Sequence, residues 1–412
     1  MNLEARTAIE ALRAGVPNRA AVRLMGTEES GVEQAFDELL RATAPDGPGD
    51  RPGIGIAGGF GTGKSHLLRY LTEVARTEEF VVSRVVISKE TPLSDPGRVF
   101  EAAMRSSVLP NRTDDPLAAA LAILRQSPER LDALDYAVRQ PEAGLAGVFA
   151  AILHLLRKSS TSAEVIRRFE RFLAGGRMTS GAFRQAMSAA GAGRMFDLKL
   201  PSAAVLAEQR IRFASRLFQA AGFAGWCLLL DEVELIGRYT PLQRAMAYTW
   251  LSIWLGLDRE RRFPGIAAVY AITDDFVAAV IDHRQDQDKL ADRLRLKGRT
   301  HDAEMAVEAI RHIQTTVRQH RLRTPGLPEL EGACLRLRHV YEAAYDWTTP
   351  ELPQSERTAT RTMRQYIKTW ITQWDLQRLT GSGVAIVEET VSANYEETED
   401  LAAPPADDAG DE

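Results

Sequence analysis

The chain has 412 residues, 26% of them charged and 45% hydrophobic, which excludes a fibrous or wholly disordered protein and leaves room for two to three domains. Its two cysteines, Cys227 and Cys334, cannot build a disulfide framework or a four-thiolate zinc site, and no apolar run reaches the roughly 18 residues of a membrane span. The net charge is −5, but residues 384–412 hold ten acidic residues and no basic ones, so the remainder carries 51 basic against 46 acidic residues, too small a surplus to mark a nucleic-acid binder.

The opening, MNLEARTAIEALRAG, lacks the basic-then-apolar order of a secretion signal, so a cytoplasmic protein without membrane contact is expected. Ala8, Ile9 and Leu12, then Val32, Phe36, Leu39 and Leu40, recur at helical spacing and predict an N-terminal helical segment over 1–50. A turn at Gly15-Val16-Pro17-Asn18 divides it. The breaker-rich stretch from Pro45 to Gly53 leads into a short apolar run, Ile54-Gly55-Ile56-Ala57. A glycine cluster follows, then a helix with Leu67, Leu68, Leu71 and Val74 on one face, then a strand from Phe80 to Ile87. Strand, loop, helix, strand is the unit of a parallel α/β sheet.

From about 100 to 215 the pattern is helical and without a good strand, which predicts a large helical insertion. Trp226-Cys227-Leu228-Leu229-Leu230 and the run from Gly265 to Ile272 read as buried strands, with a helix from Leu242 to Leu257 between them. The core is therefore expected over 51–300. A mainly helical C-terminal region, a lid or winged-helix-like unit, is expected over 301–385, broken near Pro325 to Pro328 and Pro350 to Pro353. An acidic, disordered tail over 386–412 closes the chain. Trp226, Trp250, Trp254 and Trp370 read as core residues rather than base-stacking platforms.

Gly58-Gly59-Phe60-Gly61-Thr62-Gly63-Lys64-Ser65 fits G-x-x-x-x-G-K-[ST] at every fixed position. Glycines let consecutive N–H groups turn inward around anionic oxygens. Lys64 would reach the β- and γ-phosphates of ATP, Ser65 would ligate Mg²⁺, and the helix that follows would offer its positive end. Leu228-Leu229-Leu230-Asp231-Glu232 supplies the acidic partner: Asp231 to hold Mg²⁺, Glu232 as general base for the attacking water. Thr273, at the end of the next strand, is the residue expected to orient that water, its other reading being an N-cap. Hydrolysis also calls for a cation at the γ-phosphate. Arg293 and Arg295 are candidates for a finger reaching a neighbouring copy, and Arg361 and Arg364 for a contact from a lid in the same chain. Arg318, Arg321 and Arg323 are the candidates for DNA contact in the helical C-terminal region. Transfer of phosphate to a small substrate is a competing reading, against which the adjacent acids argue.

Together these residues resemble the AAA+ P-loop ATPases, nearest the initiator and origin-recognition branch. More closely, they resemble the ATP-binding proteins of BREX phage-defence systems, of the BrxD type. The resemblance rests on Ala11-Leu12-Arg13-Ala14-Gly15-Val16-Pro17, on Gly63-Lys64-Ser65-His66-Leu67-Leu68, on Phe80-Val81-Val82-Ser83-Arg84-Val85 leading to Glu90-Thr91-Pro92-Leu93, and on Leu230-Asp231-Glu232-Val233-Glu234. It covers roughly residues 5–380. It implies binding of ATP and Mg²⁺ by the run from Gly58 to His66, hydrolysis, and assembly of several copies. It also implies work beside other defence-system proteins, with DNA met directly or through a partner. By the same analogy Arg13 to Asn18 would lie near the adenine. A nucleotide-gated scaffold with little intrinsic hydrolysis is the alternative.

Overall fold

The computed structural model describes residues 2–15, 18–26, 30–110, 114–158, 161–193, 195–322, 326–351 and 362–381. The acidic tail expected over 386–412, together with Arg323 and Arg361, lies outside them. Three helices open the chain: α1 (Leu3–Arg13), α2 (Arg19–Met25) and α3 (Ser30–Thr43). Then come β1 (Ile54–Ala57), α4 (Lys64–Thr77) and β2 (Phe80–Val86). The inserted helices are α5 (Pro96–Ser106), α6 (Pro116–Gln126), α7 (Pro128–Arg139), α8 (Gly147–Arg157), α9 (Ala163–Leu173), α10 (Ser180–Ala189) and α11 (Ala203–Ala221). The core resumes with β3 (Gly225–Asp231), α12 (Pro241–Trp254), β4 (Ile266–Ile272) and α13 (Asp286–Leu296). It ends with α14 (Thr300–Gln319), α15 (Leu327–Tyr345) and α16 (Met363–Thr380).

The protein is α/β, with a four-stranded, wholly parallel sheet in the order β1-β4-β3-β2. β3 is buried at every position, as a parallel strand covered on both faces must be. Alternate side chains sort to the two faces, as the strand period of two requires. Val82, Cys227, Leu229, Val269 and Ala271 join the cluster of α3 and α4, and Val81, Val85, Leu228, Leu230 and Tyr270 join that of α5, α11, α12 and α14. On the far side of β1, Ala57 forms a single parallel bridge with Arg321: its N–H donates to the His320 carbonyl, and the Leu322 N–H donates back to it.

The insertion is mainly helical over its described residues, with one antiparallel bridge from Val108 to Val82, and Phe149, Phe169, Phe172, Phe183 and Phe213 fill its centre at 0–1% exposure. The tryptophans named from the sequence are buried. Trp226 packs edge-on against Phe100, Phe218 and Trp254, and its indole N–H donates to Ser83 Oγ at 2.9 Å. The N-terminal helices divide between two cores. α3 packs on the sheet, whereas α1 and α2 share a separate apolar cluster with α15 and α16. Among the described residues of 301–381, nothing forms a strand beyond the bridge at Arg321.

One buried ion pair ties α12 to α13 beneath the sheet. Arg244 Nε and Nη2 each donate to Asp286 at 3.0 Å, the Tyr248 hydroxyl donates to the same carboxylate at 3.1 Å, and Arg244 Nη1 reaches the Tyr239 carbonyl. Arg244 and Asp286 are 3% and 1% exposed. Removing one partner strands a charge in low dielectric, so Asp286→Ala should cost about 3–5 kcal/mol. Asp292→Ala, at the exposed pair with Arg295, should cost less than about 1 kcal/mol. Denaturant unfolding of the two variants checks the contrast.

Candidate functional site

The glycine-rich loop runs from the end of β1 into α4, and two of its glycines adopt conformations a side chain resists. Gly61 has φ +78° and Gly63, which caps α4, has φ +109°. Gly61 is also crowded: a Cβ there would lie 2.8 Å from Thr362 Oγ1. The first N–H groups of α4, those of Lys64, Ser65 and His66, have no acceptor within the helix and face the loop's end. Thr62 Oγ1 closes the loop on the Gly59 carbonyl at 2.9 Å.

Lys64 is 9% exposed, and its ammonium donates to the carbonyls of Gly58 at 2.6 Å and Gly59 at 3.0 Å. Phe60, half exposed, places its ring 5.6 Å from the same nitrogen. Burial lowers the Lys64 pKa, against the pull of Glu234, Asp231, Asp274 and Asp275, which favour the charged form. The loop therefore sits in a field of carboxylates.

Strand order explains their convergence. β4 lies between β1 and β3, with Ala57 opposite Ile272 and Leu230 opposite Tyr270. Thr273, the next residue of β4, is 1% exposed and stands between the loop and Asp231. The Gly58 N–H donates to the Ile272 carbonyl at 3.1 Å. Asp231, 2% exposed, takes the Glu232 N–H on Oδ1 at 3.1 Å and the Arg84 guanidinium on Oδ2 at 2.6 Å. Glu232 follows with φ +58° and ψ +37°, a left-handed conformation that costs a non-glycine residue about 1–3 kcal/mol and is found at functional sites. Glu232 is exposed. Desolvation and then Asp231 raise its pKa.

The sequence-predicted residues fall in different places. Gly58 to Ser65, Asp231, Glu232 and Thr273 come together at the carboxyl ends of β1, β3 and β4. The His66 backbone N–H belongs to the opening turn of α4, while its ring has a structural part. Its Nε2 bonds the Gly26 carbonyl at 2.9 Å, which fixes the proton on Nε2 and ties α4 to the end of α2. Arg19 of α2 and Glu73 of α4 support that contact at 2.9 Å. Arg293 and Arg295 stand exposed on α13, away from the loop, and Arg295 pairs with Asp292 at 3.0 Å. Arg361 lies outside the described residues. Its neighbour Arg364 is at the loop: its N–H donates to the Gly61 carbonyl at 3.4 Å, and its Cδ would lie 3.5 Å from a Cβ on Gly15. α16 thus presents its capped N-terminus, with Thr362 and Gln365 in a reciprocal capping box, to the phosphate loop.

Three residues escaped the sequence reading. Arg84 pairs with Asp231 across 147 positions. Arg321, a candidate for DNA contact from the sequence, has a place beside the loop that the sequence did not show, paired with Asp274 at 2.6 Å. Glu234 is 5% exposed and its Oε2 has no hydrogen-bond partner. Its place two residues after Glu232 was the only available signal.

Burial pushes the Glu234 pKa up to about 7, with Lys64 opposing. The folded value exceeds the unfolded one, so folding favours the protonated form. That contribution is whole below about pH 4.5 and is lost as the pH rises through 7. Glu234→Gln should therefore match the wild type near pH 5 and melt on the order of 2 °C higher at pH 8. Calorimetry at the two pH values reads the difference.

Residues 2–121 match the family model of the BREX system ATP-binding protein BrxC/D. That span is similar to the ATP-binding proteins of a BREX system, and it carries the phosphate loop, β2 and α5 but ends before β3. No curated protein and no solved structure matches the chain. Among the described residues no helix is long and apolar enough to cross a membrane.

Proposed function

We propose that the protein is an ATP-binding and ATP-hydrolysing enzyme of the AAA+ type, working with other proteins of a BREX phage-defence system on DNA. The observation that carries this reading is the meeting of the Lys64 loop, Asp231, Glu232 and Thr273 at three adjacent strand ends. The position of β4 between the loop strand and the acidic strand supports it, as does α16 at the loop as a lid.

Mg²⁺ suits the donor set. Ser65 offers a hydroxyl at the start of α4 and Asp231 a carboxylate at the end of β3, both hard oxygen ligands. Bound there with ATP, the ion would neutralise charge on the β- and γ-phosphates. Lys64 would exchange the Gly58 and Gly59 carbonyls for phosphate oxygens, and the opening N–H groups of α4 would take others. Arg364 supplies a cation from the lid, and Arg293 the exposed cation for a neighbouring copy. Thr273 would hold a water in line with the γ-phosphorus and Glu232 would take its proton. A bond forms from the water oxygen to phosphorus, the β–γ bridge breaks, and ADP and phosphate leave.

The expected outcome is turnover that Lys64→Ala abolishes together with binding. In Glu232→Gln, a fluorescent ATP analogue should bind with wild-type affinity while turnover falls about 10²-fold or more. Steady-state phosphate release with and without duplex DNA measures both. Wild-type release no faster than that of Lys64→Ala refutes hydrolysis.

The second reading, a nucleotide-gated scaffold, draws on the Arg84–Asp231 pair. That contact engages one oxygen of the carboxylate that would serve the metal, and a guanidinium there would compete with the ion. If it dominates, Arg84→Ala should raise turnover several-fold, while the wild type binds ATP and changes oligomeric mass on sizing without release of phosphate.

A further inference from the structure

Between residues 157 and 199 the sequence carries nine Lys and Arg against three Asp and Glu, in a chain whose net charge is −5. The structure gathers part of this surplus on one surface of the insertion. α9 buries Ile166, Phe169, Phe172 and Leu173, and at 100° per residue Arg167, Arg168 and Arg171 fall on the opposite, solvent side. Phe183 of α10 stacks on Phe169 and meets Phe172 edge-on, at 5.6 and 5.0 Å, which sets the exposed Arg184 beside α9. Arg168 is paired with Glu164 at 2.6 Å. Arg167, Arg171, Arg177 and Arg184 are exposed and pair with no carboxylate among the described residues.

We propose that this face of α9 and α10 docks the phosphate backbone of duplex DNA. Exposed guanidiniums outside any salt bridge, with only the Arg167 carbonyl at 3.4 Å from Arg171 Nε and Glu170 near Arg167, are phosphate donors whose counterion release drives binding. The aromatic residues of the region, Phe169, Phe172 and Phe183, are 0–1% exposed, so the face offers no platform for stacking unpaired bases, and single strands are disfavoured. Large apolar side chains are likewise turned inward, which leaves no dry centre for a protein partner. α9 packs on α6 and α10 rather than on the sheet, so DNA here would leave the nucleotide site accessible. This proposal rests on the DNA-linked reading above and gives it a surface.

The test uses the full chain, a labelled duplex of about 30 base pairs, and anisotropy from 50 to 200 mM salt, with ATP-analogue binding measured on the same samples. The combined variant R167Q/R171Q/R184Q should lose roughly tenfold or more in duplex affinity, with the slope of log K against log salt falling by about 2.7. Its ATP affinity should be unchanged. Glu164→Gln, which frees Arg168, should tighten duplex binding several-fold. The surface is refuted by unchanged affinity and slope in the triple variant, by absent duplex binding in the wild type, or by tighter binding of a single strand or an acidic peptide than of duplex. Loss of ATP binding in the wild type would refute the enzymatic reading and leave the surface standing on its own titration.

Discussion

Lys64 carries its charge into a site where only 9% of its surface remains exposed, and the surroundings answer to that charge. Burial disfavours the ammonium, and carboxylates on two strand ends restore it. Without phosphates the nitrogen leans on the carbonyls of its own loop. The arrangement is stable as it stands and is suited to exchange, since phosphate oxygens can replace both carbonyls without moving the lysine far. The same logic governs Asp231, whose two oxygens are held by a backbone N–H and by Arg84. Both ends of the site are satisfied in advance by groups of the sign that ATP and a divalent cation would bring.

The acidic field has a second consequence. Asp231, Glu232, Glu234, Asp274 and Asp275 crowd one loop, and like charges at short range repel. The fold relieves the excess in three ways. Arg84 takes Asp231, Arg321 takes Asp274, and Glu234 holds its proton more tightly. Arg321 reaches the site because the chain after α14 bridges to the outer edge of β1. A residue at that edge is held beside the glycine-rich loop by Asp274, however basic its sequence neighbours are.

α15 and α16 form one unit with the chain's first two helices. Arg13 of α1 donates from Nε and Nη2 to Asp375 of α16 at 3.0 Å, and the Tyr341 hydroxyl of α15 donates to the same carboxylate at 2.7 Å. α2 of this unit touches α4 through His66 and Arg19, and α16 touches the loop at Gly61. A displacement of the glycine-rich loop or of α4 therefore has two physical routes into the bundle of α1, α2, α15 and α16.

Local pattern determined much of this protein from its sequence. Apolar runs placed all four strands to within a residue or two, and the glycine spacing placed the tight loop between β1 and α4. The acid pair after Leu230 placed the carboxylates. These features are legible because strand burial and loop conformation depend on neighbours in the chain. Only the tertiary structure decided that β4 lies between β1 and β3, that α1 and α2 join α15 and α16, and that Arg84, Glu234 and Arg321 belong to the site. Each of those facts is a contact between residues far apart in sequence, 147 positions in the case of Arg84 and Asp231. No periodicity records such a contact, because its energy depends on which surfaces meet after the sheet has closed.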